Sequence, residues 1–270
     1  MSTRSPLLSL VALLAALALA PASAGASSPP TSPGVPPPGA NDPSCRSTTH
    51  PEPVVLVHGT FEDMTTNWTE LAPVLEASGY CVWALDYGNR GTGEIVQSAK
   101  TLKTFVAHVL AVTHAARVDI VGHSQGGMMP RWYIKFLGGA AHVDDVVGLA
   151  PSNHGTTNPL APPLGQAGCV SCAEQTAGSP FLTRLNAGDE TPGAVSYTQI
   201  ETRYDEVVTP YTSAFLAGPA AQTTNVLVQD DCPADVSDHV GLAYDPIAAQ
   251  WVLNALSRPG PADPAFRPSC

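Results

Sequence analysis

Residues 118–129 read VDIVGHSQGGMM, an aliphatic run that gives way to three glycines crowded around one serine. Where a buried strand hands over to a helix, that much backbone freedom weakens both elements, so the glycines must serve another purpose. Gly122-His123-Ser124-Gln125-Gly126 fits the G-x-S-x-G turn, which holds its serine in a strained conformation and projects the hydroxyl from a sheet's carboxyl edge. A side chain at either flanking glycine would collide with the neighbouring strand or helix. Ser124 is therefore the candidate nucleophile.

The same passage from apolar run to helical pattern recurs on both sides. PVVLVHG (53–59), CVWALDYG (81–88) and VDDVVGLAP (143–151) read as strands, and NWTELAPVLEASG (67–79), GEIVQSAKTLKTFVAHVLAVTHAA (93–116) and QGGMMPRWYIKFLGG (125–139) as helices. The runs VVLV, VDIV and VVGLA are continuous rather than alternating, as parallel strands covered on both faces must be. Alternating strand and helix predicts an α/β fold, an α/β-hydrolase three-layer sandwich around a mostly parallel central sheet. Pro130 should kink the helix after Ser124. Residues 151–192 lapse into Pro, Gly, Ser and Thr without a clear element and are read as a small loop-rich cap. AVSYTQIETRYDEVV (194–208), TNVLVQDDC (224–232) and the helix-like DPIAAQWVLNALSR (245–258) complete the pattern.

A hydroxyl attacks only when a base removes its proton and an acid orients that base. For a serine on this kind of turn the chain order is serine, acid, histidine, and only His142, His154 and His239 follow Ser124. His142 leaves no room for an acid on a later strand. His154 has behind it only Asp144 and Asp145, which head a strand instead of ending one. His239, in VSDHVGLAYDP between the last strand and the last helix, is the candidate base. Just past the preceding strand, TRYDEVV offers Asp205 and then Glu206; Asp205 is the candidate acid, with Glu201, Asp230 and Asp231 in reserve. Donors for an oxyanion fall to the backbone N–H groups of Gln125 and of Thr60 in LVHGTF, where Gly59 permits a close turn and the Thr60 hydroxyl adds a third donor. His108, His114 and His123 receive no chemical role. The sequon Asn67-Trp68-Thr69 is a glycan acceptor only in a suitable secretory host.

Arg4, an apolar run from Leu7 to Ala20 and the triplet Ala22-Ser23-Ala24 read as an export signal. The run is shorter than the ~20 residues that span a bilayer. Residues 1–24 are thus expected to be cleaved, 25–44 to form a Pro-rich disordered leader and 45–270 to be the catalytic domain. With 12 basic and 23 acidic residues in the whole chain, nucleic acid is excluded as a partner. Six cysteines, all after the signal, imply disulfides in an oxidising space. Cys169-Val170-Ser171-Cys172 is read as a structural loop, since no strand precedes it as a redox motif requires. No metal and no cofactor is expected: zinc lacks its ligands, and Asp235 and Asp238 are too few for calcium.

VVLVHGTFEDMTTNW, GHSQGGMMPRWYIKFLGG, TRYDEVVTP and DHVGLAYDP together resemble the secreted actinobacterial lipases and esterases of the class 2 triacylglycerol lipase family. The likeness runs from about Cys45 to Cys270, and the Gly-Gly-Met-Met-Pro run is its most specific part. It implies Ser124 as nucleophile, Asp205 as acid, His239 as base and Thr60 and Gln125 at the oxyanion. It also implies the pairs Cys45–Cys81, Cys169–Cys172 and Cys232–Cys270. Residues 151–192 match the group poorly, so chain-length preference does not follow from it. The expected protein is a secreted, extracellular, monomeric serine ester hydrolase acting on an ester or acylglycerol at a lipid–water interface, without stable membrane insertion. A cutinase-like polyester hydrolase would use the same triad, and a non-catalytic relative would have lost part of it.

Overall fold

The computed structural model describes residues 34–270; the predicted export signal lies outside them. Six parallel strands form one sheet: β1 (Val54–Val57), β2 (Val82–Leu85), β3 (Val118–His123), β4 (Val143–Leu149), β5 (Ser196–Glu201) and β6 (Thr223–Leu227). Their order is β2-β1-β3-β4-β5-β6. From β1 the chain crosses to β2 on one side, whereas β3 lies on the other and leads onward to β4. The loops after β1 and β3 therefore part company, and a crevice opens at that point on the carboxyl edge.

All four residues of β1 are wholly buried. Val54 and Leu56 pack with Trp68, Leu75 and Trp251 on one face, while Val55 and Val57 pack with Leu102, Val106 and Met128 on the other. Two covered faces leave no position for a polar residue, which is why the strand reads as an unbroken apolar run. The helix Ile95–Thr113 buries Ile95, Ala99, Leu102, Val106 and Val109, the three- and four-residue spacing of one helical stripe. On the opposite face, the helix Pro246–Leu256 buries Ile247, Trp251, Val252 and Ala255, and Asp245 caps it by accepting the N–H groups of Ile247 and Ala248.

Pro130 divides the helix after Ser124 into Gln125–Met128 and Pro130–Phe136. It stands at the first position of the second piece, where a missing N–H breaks no bond. Residues 151–192 are more ordered than their composition indicates. They hold three short helices, Ala161–Gln166, Val170–Glu174 and Pro180–Asn186. Cys169 and Ser179 cap the last two.

The described part of the leader, expected from its composition to be disordered, makes two turns, closed by the Ala40 N–H on the Pro37 carbonyl and the Cys45 N–H on the Asp42 carbonyl, and is tied to the sheet. Ala40 bridges to Val82, and the Asn41 side chain accepts the Ala84 N–H at 2.7 Å and donates to the Ala84 carbonyl at 2.9 Å. This covers the otherwise unpaired edge of β2, which would be a template for intermolecular pairing. The disulfides are Cys45–Cys81, Cys169–Cys172 and Cys232–Cys270, the pairing implied by the family resemblance.

At the amino ends of β3 and β4, away from the crevice, the carboxyls of Asp119, Asp144 and Asp145 gather within 4.8 Å of one another. Burial, and then the Asp144 charge, push Asp145 up to about 8. A carboxyl whose folded pKa exceeds its unfolded value stabilises the fold while protonated, and that contribution is lost as pH climbs from about 3.9. Asp145→Asn should therefore raise the melting temperature at about pH 8 to 9 and change it little near pH 4. Thermal unfolding followed by circular dichroism at both pH values checks this.

Candidate active site

Ser124 follows the last residue of β3 with φ 54° and ψ −122°, a strained conformation for a residue with a Cβ. Two hydrogen bonds hold it there. Its N–H donates to the Leu149 carbonyl at the end of β4 at 2.8 Å, and its own carbonyl accepts from the Gly127 N–H at 3.0 Å. A Cβ on Gly122 would overlap the Gly126 carbonyl, and one on Gly126 would overlap the carbonyls of Val57 and His58. The flanking glycines thus provide clearance, as the sequence predicts.

His239 and Asp205 are both buried. The His239 Nδ1–H donates to Asp205 Oδ2 at 2.7 Å. The other oxygen, Asp205 Oδ1, accepts the N–H groups of Val207 at 2.8 Å and Val208 at 2.7 Å. Those bonds fix the carboxylate and leave Nε2 of the ring available to a reactant. Glu206, the neighbouring acid, meets only the His239 main-chain N–H, at 3.4 Å. Ser124 and His239 line the same cavity, of about 400 Å³. No hydrogen bond joins their side chains among the described residues.

The loop after β1 brings Thr60 to Gln125. Gln125 Nε2 donates to Thr60 Oγ1 at 2.8 Å and to the Gly91 carbonyl at 2.7 Å. A second amide reaches the same hydroxyl: Gln175 Nε2 donates to Thr60 Oγ1 at 3.0 Å and to the Ser171 carbonyl at 3.2 Å. Because each amide nitrogen also faces a carbonyl, both are donors, and the Thr60 oxygen accepts from both. Gln175 escaped the sequence reading because it lies in the segment without a recognisable pattern.

Three other residues gain significance from the fold. Glu201, a reserve acid, is wholly buried at the end of β5. Burial first, then the charge of Asp205, raise its carboxyl well above the usual range. His123, read as a mere neighbour of the serine, is buried and bonded to Glu62 at 2.9 Å. Asn67 is wholly buried and its Oδ1 accepts the Gly59 N–H at 3.0 Å, so the sequon is not open to glycosylation in the folded chain.

Leu160, Ala161, Leu164, Val207, Val208 and Val240 give the cavity wall an aliphatic side, and Ser152, Thr156 and Asn158 add polar groups to it. Among the described residues no helix is long and apolar enough to cross a membrane.

A parallel sheet with a serine on a strained strand-to-helix turn defines an α/β-hydrolase, and the comparisons with known proteins agree. Residues 51–252 match the model of the class 2 lipases, and the chain belongs to that family. A triacylglycerol lipase of Pseudarthrobacter phenanthrenivorans is 34% identical over 92 residues, 30% of this chain and 27% of that protein. The match thus spans about a quarter of the curated relative's length. Aspergillus fumigatus lipase B superposes with a TM-score of 0.72 at 23% identity, covering 85% of this chain and 57% of that one. The mature lipase BlEst2 of Bacillus licheniformis gives 0.63 at 15% identity, covering 81% and 97%. These two likenesses concern the fold.

Since a methyl group at residue 126 has only backbone to meet, Gly126→Ala should destabilise the protein by more than about 3 kcal/mol or prevent its folding. Urea unfolding of the soluble variant, or its absence from the soluble fraction, is the measurement; a midpoint equal to the wild type contradicts the crossing described here.

Proposed function

We propose that the protein is an exported serine esterase that cleaves aliphatic esters, acylglycerols foremost, through Ser124, His239 and Asp205. The observation that carries this reading is the His239–Asp205 bond of 2.7 Å beside a serine held at φ 54° on the same cavity wall. Ser124 Oγ attacks the ester carbonyl while His239 Nε2 takes its proton, and the alcohol leaves with that proton from the imidazolium. Water then cleaves the acyl-enzyme through the same exchange. Asp205 holds the imidazole in the tautomer with Nδ1 protonated and stabilises its charged form. Catalytic hydrogen bonds in an unliganded site commonly tighten only with substrate in place, which accounts for the open Ser124–His239 pair.

The developing oxyanion falls to the backbone N–H groups of Thr60 and Gln125 and to the Thr60 hydroxyl. Gln125 and Gln175 already donate to Thr60 Oγ1. Its two lone pairs are therefore engaged, and its single proton remains for an acceptor on the substrate.

The aliphatic wall suits an acyl chain. Phe61, Leu160, Leu164 and Val240 line the cavity yet are 43%, 63%, 40% and 47% exposed, an apolar rim suited to docking on a lipid–water interface. The three disulfides, together with the predicted signal peptide, support an extracellular destination. Emulsified triacylglycerol, a soluble short-chain ester and a polyester film offered in parallel separate lipase, esterase and cutinase-like preference.

Ser124→Ala should lower turnover of aryl esters at least about 10⁴-fold. Asp205→Asn should lose a comparable factor, while Glu206→Gln stays within a few-fold. Steady-state hydrolysis by the purified variants decides, and undiminished turnover by Ser124→Ala removes the mechanism.

A further inference from the structure

His123 is 1% exposed, and both of its ring nitrogens meet acceptors. Nε2 lies 2.9 Å from the main-chain carbonyl of His239, and Nδ1 lies 2.9 Å from Glu62 Oε2. A peptide carbonyl only accepts, so Nε2 carries a proton. With Glu62 ionised its oxygen only accepts, so Nδ1 then carries one as well and the ring is an imidazolium. Glu62 Oε2 also accepts the Gly59 N–H at 2.9 Å. The backbone makes room for this arrangement, since a Cβ on Gly59 would stand 2.5 Å from that oxygen and 3.1 Å from His123 Nδ1.

One carboxylate oxygen therefore joins three segments. Gly59 precedes Thr60, His123 precedes Ser124, and the carbonyl held by His123 is that of the triad histidine. Resting on the esterase reading above, we propose that Glu62 and His123 form an ion pair whose task is to position His239 and the Thr60 loop against Ser124. Both are positioning residues, because neither exchanges a proton with substrate in this scheme.

Charge supports the geometry. Burial depresses the His123 ring, but the Glu62 charge and hydrogen bond, the His239 carbonyl and Asp205 together hold it above the ordinary imidazole value. Burial pushes Glu62 up, while the His123 cation, the Gly59 N–H and His239 draw it below the ordinary carboxylate value. The other titratable groups facing the pair are His58 and Asp63 from the loop after β1, Asp86 and Tyr87 from the loop after β2, and Tyr244 from the turn before the last helix. Glu206 touches the His239 main-chain N–H. Asn67 Nδ2, 3.3 Å from His123 Nδ1, can donate to the ring only when that nitrogen has lost its proton. A lowered acid contributes stability above its unfolded pKa and loses it as pH falls through the folded value. A raised base contributes below its unfolded pKa and loses it as pH rises through the folded value. Both contributions of the pair are thus fully present between about pH 4.3 and 6.5.

The test uses the full chain with Glu62→Gln, which keeps the shape and removes the charge, and His123→Phe, which removes both bonds. Each should lower kcat on a short-chain aryl ester about 10- to 100-fold with KM within about twofold, as displacement of a reacting group requires. The double variant should be no worse than either single one, since both break the same chain of bonds. In the pH profile of kcat, the wild type should show an alkaline fall, as His123 loses its cation, that Glu62→Gln lacks. Nitrogen-15 resonances of the His123 ring should report two protonated nitrogens in the wild type at the ordinary imidazole pKa of about 6.5, and a larger singly protonated fraction in Glu62→Gln at the same pH. Should His123→Phe fail to fold, Glu62→Gln carries the test by itself. A kcat unchanged in Glu62→Gln alongside a lowered melting temperature, or a singly protonated His123 in the wild type near pH 6, overturns the proposal. The esterase reading fails separately, by wild-type protein that hydrolyses no ester and whose Ser124 is not labelled by a fluorophosphonate.

Discussion

The structure turns on a backbone crossing with no space for a side chain. Where β3 ends, the chain folds over so tightly that Gly126 lies against the carbonyls of Val57 and His58, and Gly122 lies against Gly126 itself. This contact brings the turn after β3 onto the loop after β1. It sets Gln125 beside Thr60, with 2.8 Å between side-chain nitrogen and oxygen, and it forces Ser124 to φ 54°. Strain of this kind persists only where surrounding bonds over-determine the conformation. Here the bond from the Ser124 N–H to Leu149 on β4 and that from Gly127 to the Ser124 carbonyl supply the constraint.

Around this crossing, nearly every buried ionisable group has a partner that fixes either its charge or its orientation. Asp205 divides its two oxygens between His239 and two main-chain N–H groups. Burial and the Asp205 charge raise the carboxyl of Glu201 beside it, because a second buried negative charge there has no counter-ion. Glu62 stays ionised because His123 supplies one, and its pair spans the loops after β1 and β3. Two acids near one site are thus shifted in opposite directions for one reason, the presence or absence of a cation within hydrogen-bonding reach.

Much of this was legible in the sequence, and the physics says which parts. Strands covered on both faces write continuous apolar runs, so β1 to β4 stood out, while β5 (SYTQIE) and β6 (TTNVL) carry polar residues and were placed by the order of the pattern; the turn at Ser124 writes its glycines because overlap forbids anything else. His239 and Asp205 followed from chain order and from their places past strand ends. The three helices within 151–192 were not visible: the longest has seven residues, too short to show a periodic stripe, and two begin with or next to proline. His123 and Glu62 were hidden for another reason. Nothing in a histidine's neighbours along the chain reveals that both its nitrogens will meet acceptors from distant loops. Gln175, which reaches Thr60 across 115 positions, was hidden in the same way.

The cap also belongs to the chemistry more closely than its composition implied. Gln175 donates to the Thr60 hydroxyl, Ser171 Oγ donates to the Gly91 carbonyl at 2.6 Å, and Glu174 accepts the Ile95 N–H at 2.8 Å. Gly91 O is also the acceptor that orients the Gln125 amide. A movement lifting 151–192 as one body would remove the Gln175 donor from Thr60 Oγ1, and with it one of the two bonds that orient that hydroxyl. The part of the cap around Val170–Glu174 is therefore structurally continuous with the donor side of the site. The exposed Leu160 and Leu164 belong instead to the turn around Ala161–Gln166. Apolar lining of the cavity and polar support of Thr60 thereby fall to different short helices of the same segment.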